Sequence, residues 1–507
     1  MQATKAGELE PAMPSASRFG LSKSKITAFE QCSRKLWLSK HRPDLALLDD
    51  GAEARFATGH EVGELACRLL PSGVMVDADP DLAAAVTRTR ELLDSGWCEP
   101  IFEATFEHDG VLVRVDVLEK TDDGWAVAEV KSSAGVKDYH LGDLATQIWV
   151  MQEAGVAVSS ACIRHIDSAF RLKAEGDYQG LFKDSDRLEM LTDRIADRAQ
   201  VVASARAVLA GPEPEIDTGD HCSSPFQCKF AHYCSRNDAP QREWPIGLLP
   251  RTGKAVAAQW GGDGIFDLRE VPVGALKSAV HERVREATVM DTVYHDREGA
   301  IAATQEWSWP RAYLDFETIG PAIPKWIGCK PFQQVPFQFS CHIESALGEV
   351  THHGFLSIDG SDPRRACADA LVAALSGDRC GSVIAYNASF ERRCVLELAD
   401  AFPDLADELN VVAAKIFDLL PVTREHYYHR DQRGSWSIKA VLPTVAPELA
   451  YDDLTVKDGG AAQNAWSEAA HPDTTDARRA ELKEGLEIYC ARDTEAMIVL
   501  LKRLTSA

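Results

Sequence analysis

The chain has 507 residues, of which 45% are hydrophobic and 26% charged, and its formal net charge is -24. At about 150 residues per domain, this length suggests roughly three compact units of an ordinary globular protein. The sequence contains neither the run of about eighteen apolar residues that a membrane helix needs nor a signal peptide's apolar core near its start. We therefore expect a cytoplasmic protein without membrane contact. The negative charge argues against a broad nucleic-acid-binding surface but is compatible with a local basic groove.

Thirteen cysteines form an odd set without the regular spacing of a disulfide framework. In a reducing compartment this favours free thiols together with a metal or cluster site. Cys32 lies near the start of the chain, and three further cysteines come close together much later: Cys222, Cys228 and Cys234. Four thiolates can hold a [4Fe–4S] cluster or Zn²⁺ equally well, and unrelated buried thiols are the alternative.

The first domain is predicted over residues 21–238, after a flexible leader over residues 1–20. Its elements are predicted from apolar spacing and turn residues. They are a helix opened by Ser22 to Ile26, strands over 101–118 and 125–131 joined by the turn Asp122 to Gly124, a helix over 143–154, and a longer amphipathic helix over 180–210.

The rest of the chain divides into a connector and a second domain. Residues 239–307 show short helical patterns interrupted by glycines, which predict a small helical connector. A second α/β pattern over residues 308–507 begins with a strand at 311–317, continues with a strand at 382–386 and ends with an acidic helix around Tyr489. The expected fold class is therefore α/β throughout.

The first candidate site combines an acid on one strand with an acid and a lysine on the next. Asp116 precedes the predicted turn, and Glu129 and Lys131 follow it. Because strand side chains alternate, Glu129 and Lys131 point to one face and can converge with Asp116 on one metal ion. Carboxylates suit Mg²⁺ or Mn²⁺, so the pattern indicates metal-assisted phosphodiester hydrolysis. Alone, it is also compatible with a solvated salt bridge on an exposed hairpin.

Residues 20–238 resemble the RecB-family PD-(D/E)xK nucleases, especially CRISPR-associated RecB-like exonucleases and the AddB nuclease domain. Besides the acids and Lys131, the resemblance rests on Ser24 to Lys35 around Cys32, on Gly59-His60, and on Gln147. It implies a restriction-endonuclease-like domain, His60 as a metal ligand and Gln147 as a substrate contact. It also implies that the four cysteines hold a [4Fe–4S] cluster that joins the two ends of the domain.

The second candidate site comes from three short motifs in the C-terminal domain. Asp315 and Glu317 stand two apart on a strand and can share a metal ion, while Tyr489 and Asp493 stand one helical turn apart. Between them lies Tyr386 to Glu391, with Asn387 as a candidate substrate contact and Glu391 as a further acid.

These motifs resemble the DEDDy exonucleases of the DnaQ-like, RNase H-fold class. The resemblance implies two metal ions about 4 Å apart, with Asp315, Glu317, Glu391 and Asp493 as ligands and Tyr489 orienting the attacking water. The combination of both domains is also similar to bacterial two-nuclease proteins whose C-terminal half is a domain of unknown function.

The sequence therefore predicts a nuclease dependent on Mg²⁺ or Mn²⁺, with a PD-(D/E)xK site and a 3′–5′ exonuclease site acting on DNA single strands or duplex ends. Repair, recombination or defence against foreign DNA would suit it. Two alternatives stay open: a nucleic-acid-binding or assembly protein with one or both sites degenerate, and a nuclease that acts on RNA. No protein partner is indicated.

Overall fold

A computed structural model describes residues 20–47, 51–237, 242–451 and 453–506. The predicted leader, apart from Gly20, lies outside the described residues. Chain contacts define two compact units rather than the three that length suggested. Unit 1 comprises Met1–Asp238 and Ala322–Pro331, and unit 2 comprises Ala239–Pro321 and Phe332–Ala507. The predicted connector therefore belongs to unit 2.

Unit 1 is a mixed α/β unit. Its strands are β1 (Leu21–Ser22), β2 (Val74–Met75), β3 (Ile101–His108), β4 (Val111–Thr121), β5 (Gly124–Lys131), β6 (Val158–Ile166) and β7 (Phe182–Asp186). Its helices are α1 (Lys23–Gln31), α2 (Ser33–His41), α3 (Ala52–Arg68), α4 (Leu82–Asp94), α5 (Asp138–Glu153), α6 (Thr192–Ala196), α7 (Arg198–Ala210) and α8 (Ala231–Cys234).

One mixed sheet organises unit 1, in the order β2-β3-β4-β5-β6-β7, with β1 paired to β4. The predicted hairpin is confirmed as the antiparallel pair β4 and β5, in which Val117 faces Ala128. β6 joins β5 in parallel, so α5 serves as the crossover between them. Helix α5 is buried along most of its length from His140 to Met151, because it packs in the main core of the unit.

The long helix predicted over 180–210 is wrong in its first part. Residues Phe182–Asp186 form β7, which pairs antiparallel with β6, and α-helices begin only at Thr192 and Arg198. Gly180 has a φ of +87°, a conformation that favours a turn over a continuous helix. The ion pair between Arg164 and Asp184, at 2.8 Å, joins the two strands. Cross-strand pairing therefore overrides the local helical pattern.

Unit 2 is also mixed α/β. Its strands are β8 (Tyr294–His295), β9 (Arg311–Ile319), β10 (Val335–Glu344), β11 (Val350–Leu356), β12 (Ser382–Ala385), β13 (Ile416–Asp418) and β14 (Tyr427–Tyr428). Its helices are α9 (Gly253–Gly261), α10 (Ala279–Met290), α11 (Arg297–Ala303), α12 (Arg364–Leu375), α13 (Ser389–Ala401), α14 (Ala406–Ala414), α15 (Leu419–His426), α16 (Ile438–Val445), α17 (Gly459–Ala469) and α18 (Asp476–Thr505).

A five-stranded sheet in the order β11-β10-β9-β12-β13 forms the centre of unit 2. β9, β10 and β11 are antiparallel neighbours, whereas β12 pairs in parallel with both β9 and β13. The predicted strands at 311–317 and 382–386 are confirmed as β9 and β12. β9 is the middle strand, so the acids that it carries lie at the centre of the sheet.

The acidic C-terminal helix of the prediction is α18, which has 30 residues. Its buried side includes Tyr489 and Asp493, and its apolar residues near the end join a large core of unit 2. Within the described ranges, no helix is both long enough and apolar enough to cross a membrane. The long helix packs in the core of unit 2 and carries two of the predicted site residues.

Candidate active sites

The strand register of unit 1 brings its three predicted catalytic residues together. Asp116 on β4 accepts a hydrogen bond from the backbone N–H of Val130, at 2.7 Å from Oδ2. Glu129 and Lys131 on β5 form an ion pair, with 2.8 Å between Oε1 and Nζ. The acid-x-lysine spacing thus places both side chains on the face that Asp116 approaches.

Two further residues complete this charge network. Lys23, at the start of α1, donates to Glu129 Oε1 at 2.6 Å, and Lys131 also reaches Asp143 Oδ2 on α5 at 2.9 Å. Thr27 donates to the other oxygen of Asp143 at 2.7 Å. The buried carboxylate of Glu129 is therefore shared by two ammonium groups.

The pKa values of the two acids of this site shift in opposite directions. Burial and the neighbouring Glu129 charge raise the pKa of Asp116 to about 7. Burial also disfavours the ionised form of Glu129, but Lys23 and Lys131 outweigh it and hold the pKa of Glu129 far below its ordinary value. Glu129 is thus a carboxylate at neutral pH, whereas Asp116 can exchange a proton or bind a cation.

Gln147 and His60 lie in very different surroundings. Gln147 is fully buried on α5 and donates to Glu129 Oε2 at 2.5 Å and to the carbonyl of Arg114 at 3.2 Å. It therefore holds Glu129 in place rather than facing solvent, where a substrate would bind. His60 is exposed on α3 and belongs to no three-residue metal-ligand group of the described residues. The geometry gives no support to a ligand role for His60.

The four cysteines predicted to act together line one small cavity. Cys32, Cys222, Cys228 and Cys234 all border it, together with Arg34 and Lys35. None of them forms a disulfide, and burial raises the pKa values of the Cys228 and Cys234 thiols. The fold therefore brings Cys32 to the three later cysteines, and it places the side chains of Arg34 and Lys35 at the same cavity.

The spacing of these sulfur atoms bears on the group that they could hold. A zinc ion with Zn–S bonds of about 2.3 Å would draw four sulfurs to about 3.8 Å from one another. No three of the four sulfurs lie within 4.8 Å of one another. A four-iron cluster keeps its cysteine sulfurs farther apart because iron and sulfide fill the centre. Four thiols at one cavity are a donor set that either a four-iron cluster or a zinc ion could use.

The second site is a compact carboxylate group in unit 2. Ligand oxygens of Asp315, Glu317 and Asp493 all lie within 4.8 Å of one another. Asp315 and Glu317 are two residues apart on β9, and α18 brings Asp493 against them. Among the described residues, it is the one group of three potential metal ligands whose atoms all lie within that distance of one another.

Burial and mutual repulsion strongly perturb these acids. Burial, followed by the charge of Asp493, raises the pKa of Glu317 to about 8. Burial and the neighbouring acids raise the pKa of Asp315 well above its ordinary value, and burial likewise raises the pKa of Asp493. Three acids that oppose one another's ionisation form a site that a divalent cation would neutralise.

Glu391 adds a fourth acid at the N-terminal turn of α13. Its side chain is 4% exposed, and its Oε2 atom is buried without a hydrogen-bond partner. Burial raises its pKa to about 8, and its charge is among those that raise the pKa of Asp315. Burying a carboxylate oxygen without a hydrogen-bond donor costs free energy, and a bound metal ion would relieve that cost.

Tyr489 belongs to a small polar group beside the acids. Lys439 on α16 donates to the Tyr489 hydroxyl at 3.3 Å and to the carbonyl of Lys457 at 2.6 Å. The hydroxyl of Tyr451 donates to Asp493. Lys439 also opposes the rise in the pKa values of Glu317 and Asp493. Tyr489 is thus oriented by a cation at the edge of the cluster.

Asn387, the predicted substrate contact, is exposed at the end of β12 and has a φ of +73°. Its backbone N–H donates to Asp418 Oδ1 at 3.0 Å, and the same oxygen caps α15 through the N–H of Leu420. This contact fixes the loop, and the Asn387 side chain stays at the surface, where it can meet a ligand.

Sequence reasoning missed four residues that the fold brings to these sites: Lys23, Asp143, Lys439 and Tyr451. Lys23 is separated from Glu129 by 106 positions, and Tyr451 from Asp493 by 42. No periodic signal links such positions. For Asp143 alone a local hint existed, since it stands one helical turn before Gln147.

Comparisons with other proteins reach part of this chain. A family described as a domain of unknown function, DUF2779, matches residues 312–437. An uncharacterized protein of Ureaplasma parvum serovar 3 is 26% identical over 210 residues, which is 38% of this chain. The match covers 30% of that relative's length. The DUF2779 match includes Asp315, Glu317 and Glu391 but ends before Tyr489 and Asp493.

Proposed function

We propose that the protein is a nuclease that requires a divalent cation, Mg²⁺ or Mn²⁺, and hydrolyses phosphodiester bonds of DNA. The reaction is assigned to the carboxylate cluster of unit 2, as a DnaQ-like, RNase H-fold exonuclease. Unit 1 is assigned to the RecB-like PD-(D/E)xK class, with a [4Fe–4S] cluster at its four cysteines.

The observation that carries the proposal is the group formed by Asp315, Glu317 and Asp493, with ligand oxygens within 4.8 Å. The unpartnered oxygen of Glu391 supports it independently. The mixed five-stranded sheet with its first two acids on the middle strand, β9, also accords with an RNase H-like fold. Hard oxygen ligands without sulfur or imidazole in the group favour Mg²⁺ or Mn²⁺.

A divalent ion held there would lower the pKa of an attacking water and stabilise charge on the scissile phosphate. The protein's own residues prepare the site for this chemistry. Burial keeps the four acids from ionising together in the absence of a cation, and Lys439 orients the Tyr489 hydroxyl at 3.3 Å. Tyr489 can then fix the position of a water molecule beside Asp493, one helical turn away on α18.

One observation favours a second candidate function for unit 1. Lys23, Lys131 and Gln147 already occupy both oxygens of Glu129, so a metal ion must compete with an internal ion pair. Among the described residues, Asp315, Glu317 and Asp493 form no salt bridge of this kind, although the charge of Lys439 acts on Glu317 and Asp493. A nucleic-acid-binding unit 1 with a weak or silent catalytic site is therefore the second candidate, beside an active PD-(D/E)xK nuclease.

The test is cleavage of end-labelled DNA, as single strands and as duplexes, with matched RNA oligonucleotides in parallel. The parent protein with Mn²⁺ or Mg²⁺ should produce 3′ trimming, and Asp315→Ala should abolish it. Asp378→Ala, which changes an exposed acid of unit 2, is the matched control. Lys131→Ala reports on unit 1, with the exposed Lys173→Ala as its control.

Each result has a defined meaning. Loss of trimming in Asp315→Ala with full activity in the control supports the proposed reaction. A separate product pattern that disappears only in Lys131→Ala would assign a second active nuclease to unit 1. Preferential digestion of RNA would change the substrate and keep the chemistry. A pure parent protein that cuts no oligonucleotide with either ion would contradict the proposal.

A further inference from the structure

An aromatic pair on unit 1 consists of the exposed ring of Phe226 and the half-buried ring of Tyr139. Phe226 is 42% exposed, and its ring meets that of Tyr139 with 4.6 Å between centroids and planes at 61°. Both belong to surface segments, Phe226 to the loop between Cys222 and Cys228 and Tyr139 to the first turn of α5. Neither the carboxylate chemistry nor the core packing of unit 1 explains an exposed phenylalanine at this place.

Two lysines accompany the rings. The ammonium group of Lys35 lies 5.9 Å from the centroid of Phe226, and that of Lys137 lies 5.9 Å from the centroid of Tyr139. Neither ammonium group forms a salt bridge with an acid among the ion pairs of the described residues. In a chain with a net charge of -24, these two lysines place positive charge beside the rings.

The ring pair adjoins the candidate catalytic residues of unit 1. Tyr139 begins the helix whose later residues Asp143 and Gln147 contact Lys131 and Glu129. Tyr139 stands one helical turn before Asp143 on α5, and Lys131 reaches the Asp143 carboxylate at 2.9 Å. A chain molecule lying on the rings would therefore continue toward Lys131.

Hydrogen bonds from a residue next to the cysteine cavity fix the loop that carries Phe226. Gln31, the residue before Cys32, donates through Nε2 to the carbonyls of His221 and Phe226, at 2.8 and 2.7 Å. Lys35 in turn donates to the Gln31 side chain at 2.5 Å. The same helix junction thus positions a cysteine of the cavity, the ring of Phe226 and the lysine above it.

We propose that Phe226 and Tyr139, together with Lys35 and Lys137, form a stacking platform for the bases of a single-stranded nucleic acid that leads to Lys131. The inference rests on the proposed function and adds how unit 1 would hold its strand. Bases of any sequence can stack on aromatic rings while lysines meet the phosphates. The bases of a duplex are stacked on one another and cannot stack on the two rings, so we assign the platform to single strands.

The experiment measures fluorescence anisotropy of labelled oligo(dT) with the full-length protein in EDTA, which prevents cleavage. Loss of one stacked base should weaken binding on the order of fivefold to a hundredfold in Phe226→Ala, and Phe226→Trp should restore it. Phe266→Ala, a change of a ring that is 50% exposed in unit 2, is the matched control. Lys137→Gln should lower the slope of log affinity against log salt by about 0.7.

Iron content and circular dichroism are measured for every variant, and Tyr139→Ala replaces Phe226→Ala if the latter loses iron. Unchanged single-strand affinity in both alanine variants would overturn the platform. If those variants bind as the parent does and the parent still cleaves DNA, only the platform fails. If the parent neither binds nor cleaves DNA or RNA oligonucleotides, the proposed function fails with it. Selective binding of oligo(rU) supports the platform with RNA as its strand.

Discussion

Replacing Glu317 by Gln should change the stability of unit 2 in opposite directions with and without a divalent ion. In the metal-free protein, burial and the charge of Asp493 raise the pKa of Glu317 from 4.5 to about 8. The folded state thus binds this proton more tightly than the unfolded state. The stabilisation is complete below pH 4.5 and is lost as the pH rises toward 8.

The size of the effect follows from the pKa difference. At a pH of about 7.5, roughly three pKa units at 1.36 kcal/mol each give at most ~4 kcal/mol of lost stability. Gln cannot ionise, so the metal-free variant should be the more stable protein by up to this amount. Neighbouring acids share the repulsion, and the measured gain should therefore fall below that limit.

A divalent ion reverses the comparison. Metal at about one hundred times its dissociation constant stabilises the parent by ~2.7 kcal/mol. For a unit of this size that corresponds to an increase in melting temperature of roughly 5 to 11 °C. The Gln variant loses a ligand and should gain little. The surface change Glu349→Gln, on an exposed acid of the same unit, should respond as the parent does.

The assay is differential scanning calorimetry in EDTA and in Mn²⁺, with calorimetric titration of Mn²⁺ as a direct measure of binding. The reasoning would be refuted by a parent whose unit 2 transition ignores Mn²⁺ and Mg²⁺. It would also be refuted by a Glu317→Gln protein that melts below the parent in EDTA and gains as much from the metal.

Three further predictions concern other residues. Cys228→Ser should lower iron below the ratio of about four per protein expected for a [4Fe–4S] cluster and bleach its visible absorption; unchanged iron analysis would exclude this cysteine as a ligand. Lys439→Met should lower kcat on the order of tenfold to a hundredfold by releasing Tyr489, with Lys439→Arg retaining part of the rate, and equal kcat values would exclude the orienting role. In EDTA, the raised pKa of Asp116 contributes stability that is complete below the ordinary pKa of 3.8 and is lost as the pH rises to about 7. The free energy of unfolding of Asp116→Asn, measured with denaturant, should lack this decline with pH. A decline as steep as that of the parent would contradict the prediction.

Several features could be predicted from the sequence because they depend on short-range rules. Alternating residues and the turn at Asp122 to Gly124 predicted β4 and β5, and the same alternation predicted that Glu129 and Lys131 share a face. Strand and helix spacing likewise predicted the pairs Asp315 with Glu317 and Tyr489 with Asp493. These relations involve neighbours within one element or one hairpin, where backbone geometry fixes the direction of side chains.

Other features were decided only by the tertiary structure. Lys23 contacts Glu129 across 106 positions of the chain. Because of this contact, a carboxylate that the sequence pattern indicated as a metal ligand is already paired with an internal cation. His60, which the family resemblance suggested as a ligand, lies exposed on α3, because the orientation of a helix on a sheet is set by packing rather than by its own residues. The strand β7 replaced part of a predicted helix for the same reason: pairing with β6 outweighed the local pattern.

The order of the residues thus determined which side chains are available, and on which face of its own element each one stands. Packing decided which elements meet: β9 with α18 at the carboxylate cluster, and the start of α2 with the later cysteines at the cavity. Long-range contacts depend on the summed burial of many side chains, and no local spacing in the sequence records that sum.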